Sequence, residues 1–368
     1  MVSVGAMKIV IGTRPEAIKL APVVLALRAL HLPVRVCLTG QHPEMATEAL
    51  APFGIEADVN LDLMRPGQSL AELTQRAVDA LTLRLTCKQP AWVIVQGDTT
   101  SALAGAIAAR QLGIPVAHVE AGLRSFDLSQ PYPEELNRTL IAQLATLHFA
   151  PTPGAEANLR AEGVPGKAIE VTGNTVVDAL HRTLQTLPAA PRSKRRLVLA
   201  TLHRRENRET AFPEIISALV EIAARRDVEV LLPRHPGCPP DMYAPLKTAP
   251  NVRLVPPMPY PDFVAALAAA HLIITDSGGI QEEASALGIP TLVVRALTER
   301  PEVIEAGTAI IVDTAKSGIL TAATRLLDDD TAHRSMANAS TRIGDGKAAE
   351  RIARRLYDEL HAARRPAA

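Results

Sequence analysis

Cysteine, aromatic residues and net charge are all scarce in this chain of 368 residues, and each scarcity excludes a class of protein. The three cysteines, Cys37, Cys87 and Cys238, stand far apart in sequence. They cannot form a disulfide framework or a cysteine-rich zinc site, and they suit a reducing compartment. Only 3% of residues are Phe, Trp or Tyr, so Ala, Leu and Val must build the core. Lys plus Arg and Asp plus Glu both number 39, and the net charge cancels. No basic excess offers itself to nucleic acid or to an anionic membrane surface. No uncharged apolar run approaches the roughly 18 residues of a membrane span. The N-terminus lacks the basic-then-apolar layout of a secretion signal. The expectation is a soluble cytoplasmic protein.

What the chain does have is globular composition, with 47% apolar and 21% charged residues. Its length exceeds one ordinary core and suggests two domains. In the first half, short apolar runs alternate with amphipathic stretches. Strands are expected at Met7–Ile11, Val34–Thr39, Trp92–Gln96, Pro115–Val119, Leu147–Ala150 and Ile169–Thr172. Helices are expected at Glu16–Leu30, Ser69–Thr86, Ala102–Leu112 and Glu134–Leu144. Such alternation implies a parallel sheet covered on both faces. The stretch His181–Arg196 mixes Pro, Ala and basic residues without a period, as an interdomain linker would. The alternation then restarts at Leu197–Thr201 and continues through Ala309–Val312, before a last helix at Lys347–Ala363. The fold class read from this is α/β, with two Rossmann-like doubly wound domains facing a cleft, at 1–185 and 186–345. The segment 346–368 follows as a C-terminal helix. Ligands of such sheets sit beyond the carboxyl ends of the strands.

Polar clusters recur at those ends. In Gly12–Glu16, a glycine turn opens a helix whose free N–H groups, with Arg14 and Lys19, favour an anion. This is neither a dinucleotide fingerprint nor a Walker loop, so NAD and ATP are poorly supported. Asp98 follows a buried-type strand and could be a plain helix cap. Glu120 closes another strand. Glu134 opens a helix with Arg138 one turn later, a spacing that also suits a simple surface ion pair. Three acids at successive strand ends favour acid–base work on a small molecule instead. His203, Arg204 and Arg205 follow the first strand of the second half and suit a phosphate or diphosphate. Asp276-Ser277-Gly278-Gly279 leads into a helix, a phosphate cradle built from backbone N–H groups. Glu283, read as lying in that helix's first turn or so, could reach a ribose diol.

Ten motifs in order give the chain a close, nearly end-to-end resemblance to the non-hydrolysing UDP-N-acetylglucosamine 2-epimerases. They are GTRPEAIK (Gly12–Lys19), QHPEM (Gln41–Met45), GDTTS (Gly97–Ser101), HVEAGLR (His118–Arg124), PEELNR (Pro133–Arg138), TGNTVVD (Thr172–Asp178), HRREN (His203–Asn207), TDSGGIQEE (Thr275–Glu283), TERPE (Thr298–Glu302) and GDGKA (Gly344–Ala348). The resemblance implies a GT-B-like fold whose C-terminal helix crosses back to the first domain. It implies reversible conversion of UDP-GlcNAc to UDP-ManNAc for envelope polysaccharide, with no metal or cofactor, in a homodimer. It assigns Asp98 and Glu134 to proton transfer, Glu120 to a relay, and Lys19 and Arg138 to orienting these acids. Arg14, His203, Ser277, Gly278, Gly279 and Arg300 would hold the diphosphate, Glu283 the ribose, and Phe263 would neighbour the uracil. Gln41, His42 and His235 match parts of an activator site found in many bacterial members. That site is incomplete here, because Gly67 stands where the family carries an arginine and Arg234-His235-Pro236-Gly237 has lost an asparagine.

The chemistry can be argued without the family. C2 of the sugar has no neighbouring carbonyl, so its proton is not acidic. Without a dinucleotide site, elimination of UDP to a 2-acetamidoglucal and re-addition is the remaining route. It needs a firm diphosphate grip and at least two proton-handling groups, or one group and a relay. Rival readings are a hydrolysing epimerase releasing ManNAc and UDP, an enzyme for a differently substituted UDP sugar, a glycosyltransferase, and a non-catalytic UDP-sugar sensor.

Overall fold

The computed structural model describes residues 5–41, 43–188, 194–202, 211–235, 238–296, 298, 300–339 and 343–362. The chain divides into two compact units. Unit 1 comprises Met1–His181 with Gly344–Ala368, and unit 2 comprises Arg182–Ile343.

Unit 1 is built on seven parallel strands: β1 Met7–Ile11, β2 Val34–Leu38, β3 Val59–Asn60, β4 Trp92–Gln96, β5 Val116–Val119, β6 Leu147–Ala150 and β7 Ile169–Val171. Their spatial order is β3-β2-β1-β4-β5-β6-β7. Every residue of β4 and β5 is buried, as expected where helices cover both faces of a sheet. The order reverses between β1 and β4, whose Met7, Lys8 and Ile9 lie opposite Trp92, Val93 and Ile94. At such a reversal the following loops diverge and leave room for a ligand.

The helices start where short polar side chains can take up free N–H groups. α1 (Arg14–Ala29) opens on a capping box between Thr13 and Glu16. α2 (Pro43–Leu50) is a helix that the sequence reading did not assign. α3 (Leu70–Cys87) opens on a second capping box, Ser69 with Glu72. α4 (Thr100–Gln111) is capped by Thr99, whose hydroxyl accepts the Ala102 N–H at 3.0 Å. The cap is therefore Thr99 and not Asp98, which leaves the Asp98 carboxylate for other partners. α5 (Glu134–Leu144), α6 (Pro153–Ala161) and α7 (Thr175–Thr186) complete the series. α7 carries helix into the stretch expected as a linker. Its buried face, formed by Val176, Val177, Ala179 and Leu180, continues past His181 at Thr183.

Unit 2 repeats the plan with six parallel strands: β8 Arg196–Thr201, β9 Val228–Pro233, β10 Val252–Val255, β11 Ala270–Thr275, β12 Thr291–Val294 and β13 Ala309–Val312. They run in the order β10-β9-β8-β11-β12-β13 and reverse between β8 and β11. Ile, Leu, Val and Ala from β8, β9, β11 and β12 meet the helix Phe212–Ala223 and the helix Lys316–Asp328 in one apolar core. Phe212 and Tyr243 pack edge to face there, with ring centroids 5.4 Å apart.

The chain returns to unit 1 through its last helix, Ala348–Ala362, which packs on α1. The return is anchored by Asp178 of α7, whose two carboxylate oxygens accept the Ala348 and Ala349 N–H groups at 3.2 and 2.8 Å. One side chain thus caps a helix 170 residues further along the chain. Among the described residues no helix is long and apolar enough to cross a membrane.

Asp178→Ala leaves both buried N–H groups without an acceptor. It is expected to cost about 1–3 kcal/mol in urea denaturation, and to speed amide exchange selectively in the 348–362 helix.

Candidate active site

Two of the three acids singled out in the sequence, Glu120 and Asp98, are held by cations from other elements. Glu120 stands just past β5 and is buried. Its backbone has φ 62°, a left-handed conformation uncommon for a residue with a side chain. Its Oε2 forms an ion pair with Lys19 of α1, buried in its turn. The same oxygen accepts from Gln96 Nε2 at 3.1 Å and Asn174 Nδ2 at 3.4 Å. Side chains from α1, β4 and the β7–α7 turn therefore converge on one carboxylate oxygen. Gln96 ends the strand before the GDTTS motif and Asn174 lies within TGNTVVD, and neither carries a role in the sequence reading. Only the spatial approach of segments 24 and 54 residues away reveals them.

Asp98, in the turn after β4, is 28% exposed at its side chain and pairs with Arg138 of α5. Asn137 Nδ2 holds the Asp98 carbonyl at 2.8 Å. Arg138 also contacts the buried Glu135, at 3.1 Å, in an ion pair not aligned as a hydrogen bond. The surface pair between Glu134 and Arg138 considered from spacing is replaced by these two. Glu134 begins α5 half-buried, its side chain with neither a hydrogen bond nor an ion pair among the described residues. Beneath the Asp98 turn, His118 Nε2 donates to the Gly97 carbonyl at 2.8 Å. Burial pushes that imidazole down to about 3, so the ring is neutral and acts as a fixed donor.

The first cluster differs from expectation. The N–H groups just ahead of the helix are taken up by the chain itself. Gly12 N and Thr13 N donate to Glu16 Oε2 at 3.1 and 2.7 Å, and Thr13 Oγ1 adds a bond of 2.8 Å. Glu16 thus closes the capping box on Gly12 and Thr13. Arg14, half-buried, begins α1 beside it. Ser101 Oγ donates to Gln41 Oε1 at 2.8 Å, which ties Gln41 to the start of α4. His42 and His203 lie outside the described residues.

In unit 2, Ser277 stands at the N-cap position of the helix Gly278–Ala286 after β11, without a capping bond from its side chain. Its own N–H donates to Thr275 Oγ1 at 2.9 Å, and that hydroxyl lies 2.6 Å from Thr201 Oγ1 of β8. Gly279 has an ordinary helical conformation, and a Cβ built on it would meet nothing within 4 Å. The fold itself therefore gives no reason for a residue costing about 1 kcal/mol against Ala in a helix. Glu283 lies in the second turn, not the first, because the helix begins at Gly278. It is buried and accepts the Tyr260 hydroxyl at 2.8 Å. Phe263 sits half-buried on the same helix as Tyr260, Tyr260–Ala268. Arg300 Nε donates to the buried Glu282 at 2.5 Å. His235 follows β9, and its N–H donates to the Tyr243 hydroxyl at 3.1 Å. Among the described residues no group of three His, Cys, Asp or Glu side chains could hold a metal ion.

Two open parallel sheets, each with polar side chains gathered past its strand ends, define an α/β enzyme of the GT-B-like class. A glycosyltransferase from Streptomyces nogalater shares this fold with a TM-score of 0.60 at 21% identity, covering 97% of this chain and 99% of its own. The model of the UDP-N-acetylglucosamine 2-epimerase family matches residues 25–357, and the chain belongs to that family. It is 44% identical to the UDP-N-acetylglucosamine 2-epimerase of Yersinia pestis over 364 residues, covering 94% of this chain and 97% of that one. The UDP-GlcNAc 2-epimerase of Neisseria meningitidis, solved bound to UDP-GlcNAc, superposes with a TM-score of 0.91 at 39% identity. That match covers 96% of this chain and all of the other.

Breaking a buried ion pair from one side strands the remaining charge. Lys19→Met is expected to cost about 3–5 kcal/mol in urea denaturation. The double variant Lys19→Met/Glu120→Gln should recover part of that loss.

Proposed function

We propose that the protein interconverts UDP-GlcNAc and UDP-ManNAc by eliminating UDP and adding it back. The observation that carries this reading is the pair of cation-held carboxylates, Asp98 with Arg138 and Glu120 with Lys19, at neighbouring strand ends. Inverting C2 means removing a proton from one face and supplying one to the other. A base takes the C2 proton, its electron pair forms the C1=C2 bond, and the C1–oxygen bond to the diphosphate breaks. UDP then attacks C1 of the 2-acetamidoglucal as a proton reaches C2 from the opposite face. Positioned carboxylates are the groups such transfers need.

Asp98 and Glu134 are the proton-handling groups in this reading. Both are partly exposed, whereas the enclosed Glu120 serves as a relay. Lys19 and Arg138 stabilise the ionised acids. Unit 2 takes the nucleotide: Ser277, Gly278 and Gly279 offer N–H groups to the diphosphate with His203 and Arg300, and Glu283 takes the ribose. Arg14, in unit 1, is proposed as a further diphosphate group. Phe263 neighbours the uracil. Tyr260 enters here as the group that sets the Glu283 carboxylate. The open space over Gly279 supports this assignment, because a helix start without a side chain lets a phosphate approach the backbone. The Neisseria meningitidis relative, solved with UDP-GlcNAc bound, supports the choice of substrate. A homodimer working in the cytoplasm for envelope polysaccharide completes the proposal. Activation by a second UDP-GlcNAc near Gln41, His42 and His235 has weaker support, since Gln41 is engaged by Ser101.

The deciding experiment incubates the protein with UDP-GlcNAc in deuterated water and follows it by proton NMR. The expected result is deuterium at C2 and a stable mixture of two UDP sugars. Free ManNAc identifies the hydrolysing reaction instead, and an unchanged spectrum identifies a sensor. Asp98→Asn and Glu134→Gln should each lose most turnover while keeping UDP affinity, and loss of UDP binding overturns their role.

Gly279→Ala separates ligand from fold. Stability should stay level or rise by up to about 1 kcal/mol, while UDP affinity falls by about tenfold or more. Unchanged UDP affinity removes the Gly279 turn from the diphosphate site.

A further inference from the structure

Glu16 is buried to 1% exposure and belongs to neither carboxylate pair. An ordinary capping box needs the glutamate only to reach back to its own helix start. Oε2 does that here, accepting from Gly12 N, Thr13 N and Thr13 Oγ1. Oε1 does something else: it accepts the Thr99 hydroxyl at 2.9 Å, from a residue 83 positions away. Thr99 in turn caps α4 through the Ala102 N–H. One carboxylate therefore joins the starts of α1 and α4. These are the helices that leave β1 and β4, the adjacent strands between which the order of the sheet reverses.

We propose that Glu16 is a positioning residue that locks the loop carrying Arg14 to the loop carrying Asp98. The inference rests on the reading above for what those two residues do. Asp98 directly precedes Thr99 in sequence, so fixing the Thr99 hydroxyl fixes the peptide that presents the Asp98 carboxylate. Arg138 and Asn137 hold Asp98 from the α5 side, and Glu16 holds it from the α1 side. Without Glu16 the loop between β4 and α4 loses its only described tie to α1 through Thr99, while its tie to α5 remains. Burial pushes the Glu16 carboxyl up to about 7, while the hydrogen bonds from Thr13, Thr99 and Gly12 pull the other way.

The test compares Glu16→Ala, Thr99→Val and Thr99→Ser in the full-length protein. Epimerisation and peptide-level hydrogen exchange are both measured. Glu16→Ala should lower kcat by about 10- to 100-fold, because a misplaced acid loses its attack geometry. KM for UDP-GlcNAc should move less than about threefold. Exchange should accelerate together in peptides spanning 12–14 and 97–100. Thr99→Val should reproduce both effects, and Thr99→Ser, which keeps the hydroxyl, should not. Faster exchange confined to 12–14, or wild-type kcat in Thr99→Val, overturns the proposal. Should Glu16→Ala fail to fold, the two Thr99 variants decide alone. Should the wild type show no exchange at C2, the reaction assignment falls, while the exchange pattern still decides whether the two loops are locked.

Discussion

The Lys19–Glu120 ion pair is the constraint around which unit 1 is arranged. Removing two charges from water costs several kcal/mol for each, and only close pairing with further hydrogen bonds offsets that. Gln96 and Asn174 supply those bonds on the same carboxylate oxygen. Glu120 also carries a left-handed backbone, which costs on the order of 1–3 kcal/mol for a residue with a side chain. Neither cost is needed to pair β5 with its neighbours. A core of this composition could have closed over an alanine there. Both costs fall on the one residue that the proposed reaction uses as its relay.

The Gly12–Glu16 segment shows how much of this was readable in the sequence. Thr13 and Glu16 three residues apart mark a helix start, and α1 begins at Arg14. What the sequence did not show is that Glu16 reaches back to the Gly12 and Thr13 N–H groups just ahead of the helix. A capping glutamate and a free anion site look alike in one dimension. Asp98 failed as a cap for a related reason: Thr99, next to it, is equally able to cap, and spacing cannot choose between them. Trp92–Gln96, Leu147–Ala150 and Ala309–Val312 were legible to the residue, because compact apolar runs fix a strand. α2 was not, because Pro43–Leu50 is short and carries only a brief apolar face. The order of strands could not be read at all, since it depends on which runs pair in space.

Unit 2 gives the complementary lesson. The Ser-Gly-Gly turn was visible as a turn, and the structure adds that Gly279 answers to no demand of its own unit. Glu283 was visible as an acid near a helix start, and the structure adds Tyr260 from the preceding helix as the group that fixes it. In both cases residue type was informative and the partner was not. Tertiary partners 23 residues apart leave no periodic trace.

Asp178 and the helix it caps have a consequence for biosynthesis. Unit 2 is contiguous in sequence, so every part of it has left the ribosome once residue 343 has emerged. Unit 1 is interrupted, and its last helix is translated only after all of unit 2. The surface of α1 that this helix covers, and the acidic cap that waits for it, must therefore stand unfilled throughout synthesis of the second half. Folding of the first-made half is completed last, and a ribosome that stalls late releases a chain whose earliest-made unit is the unfinished one.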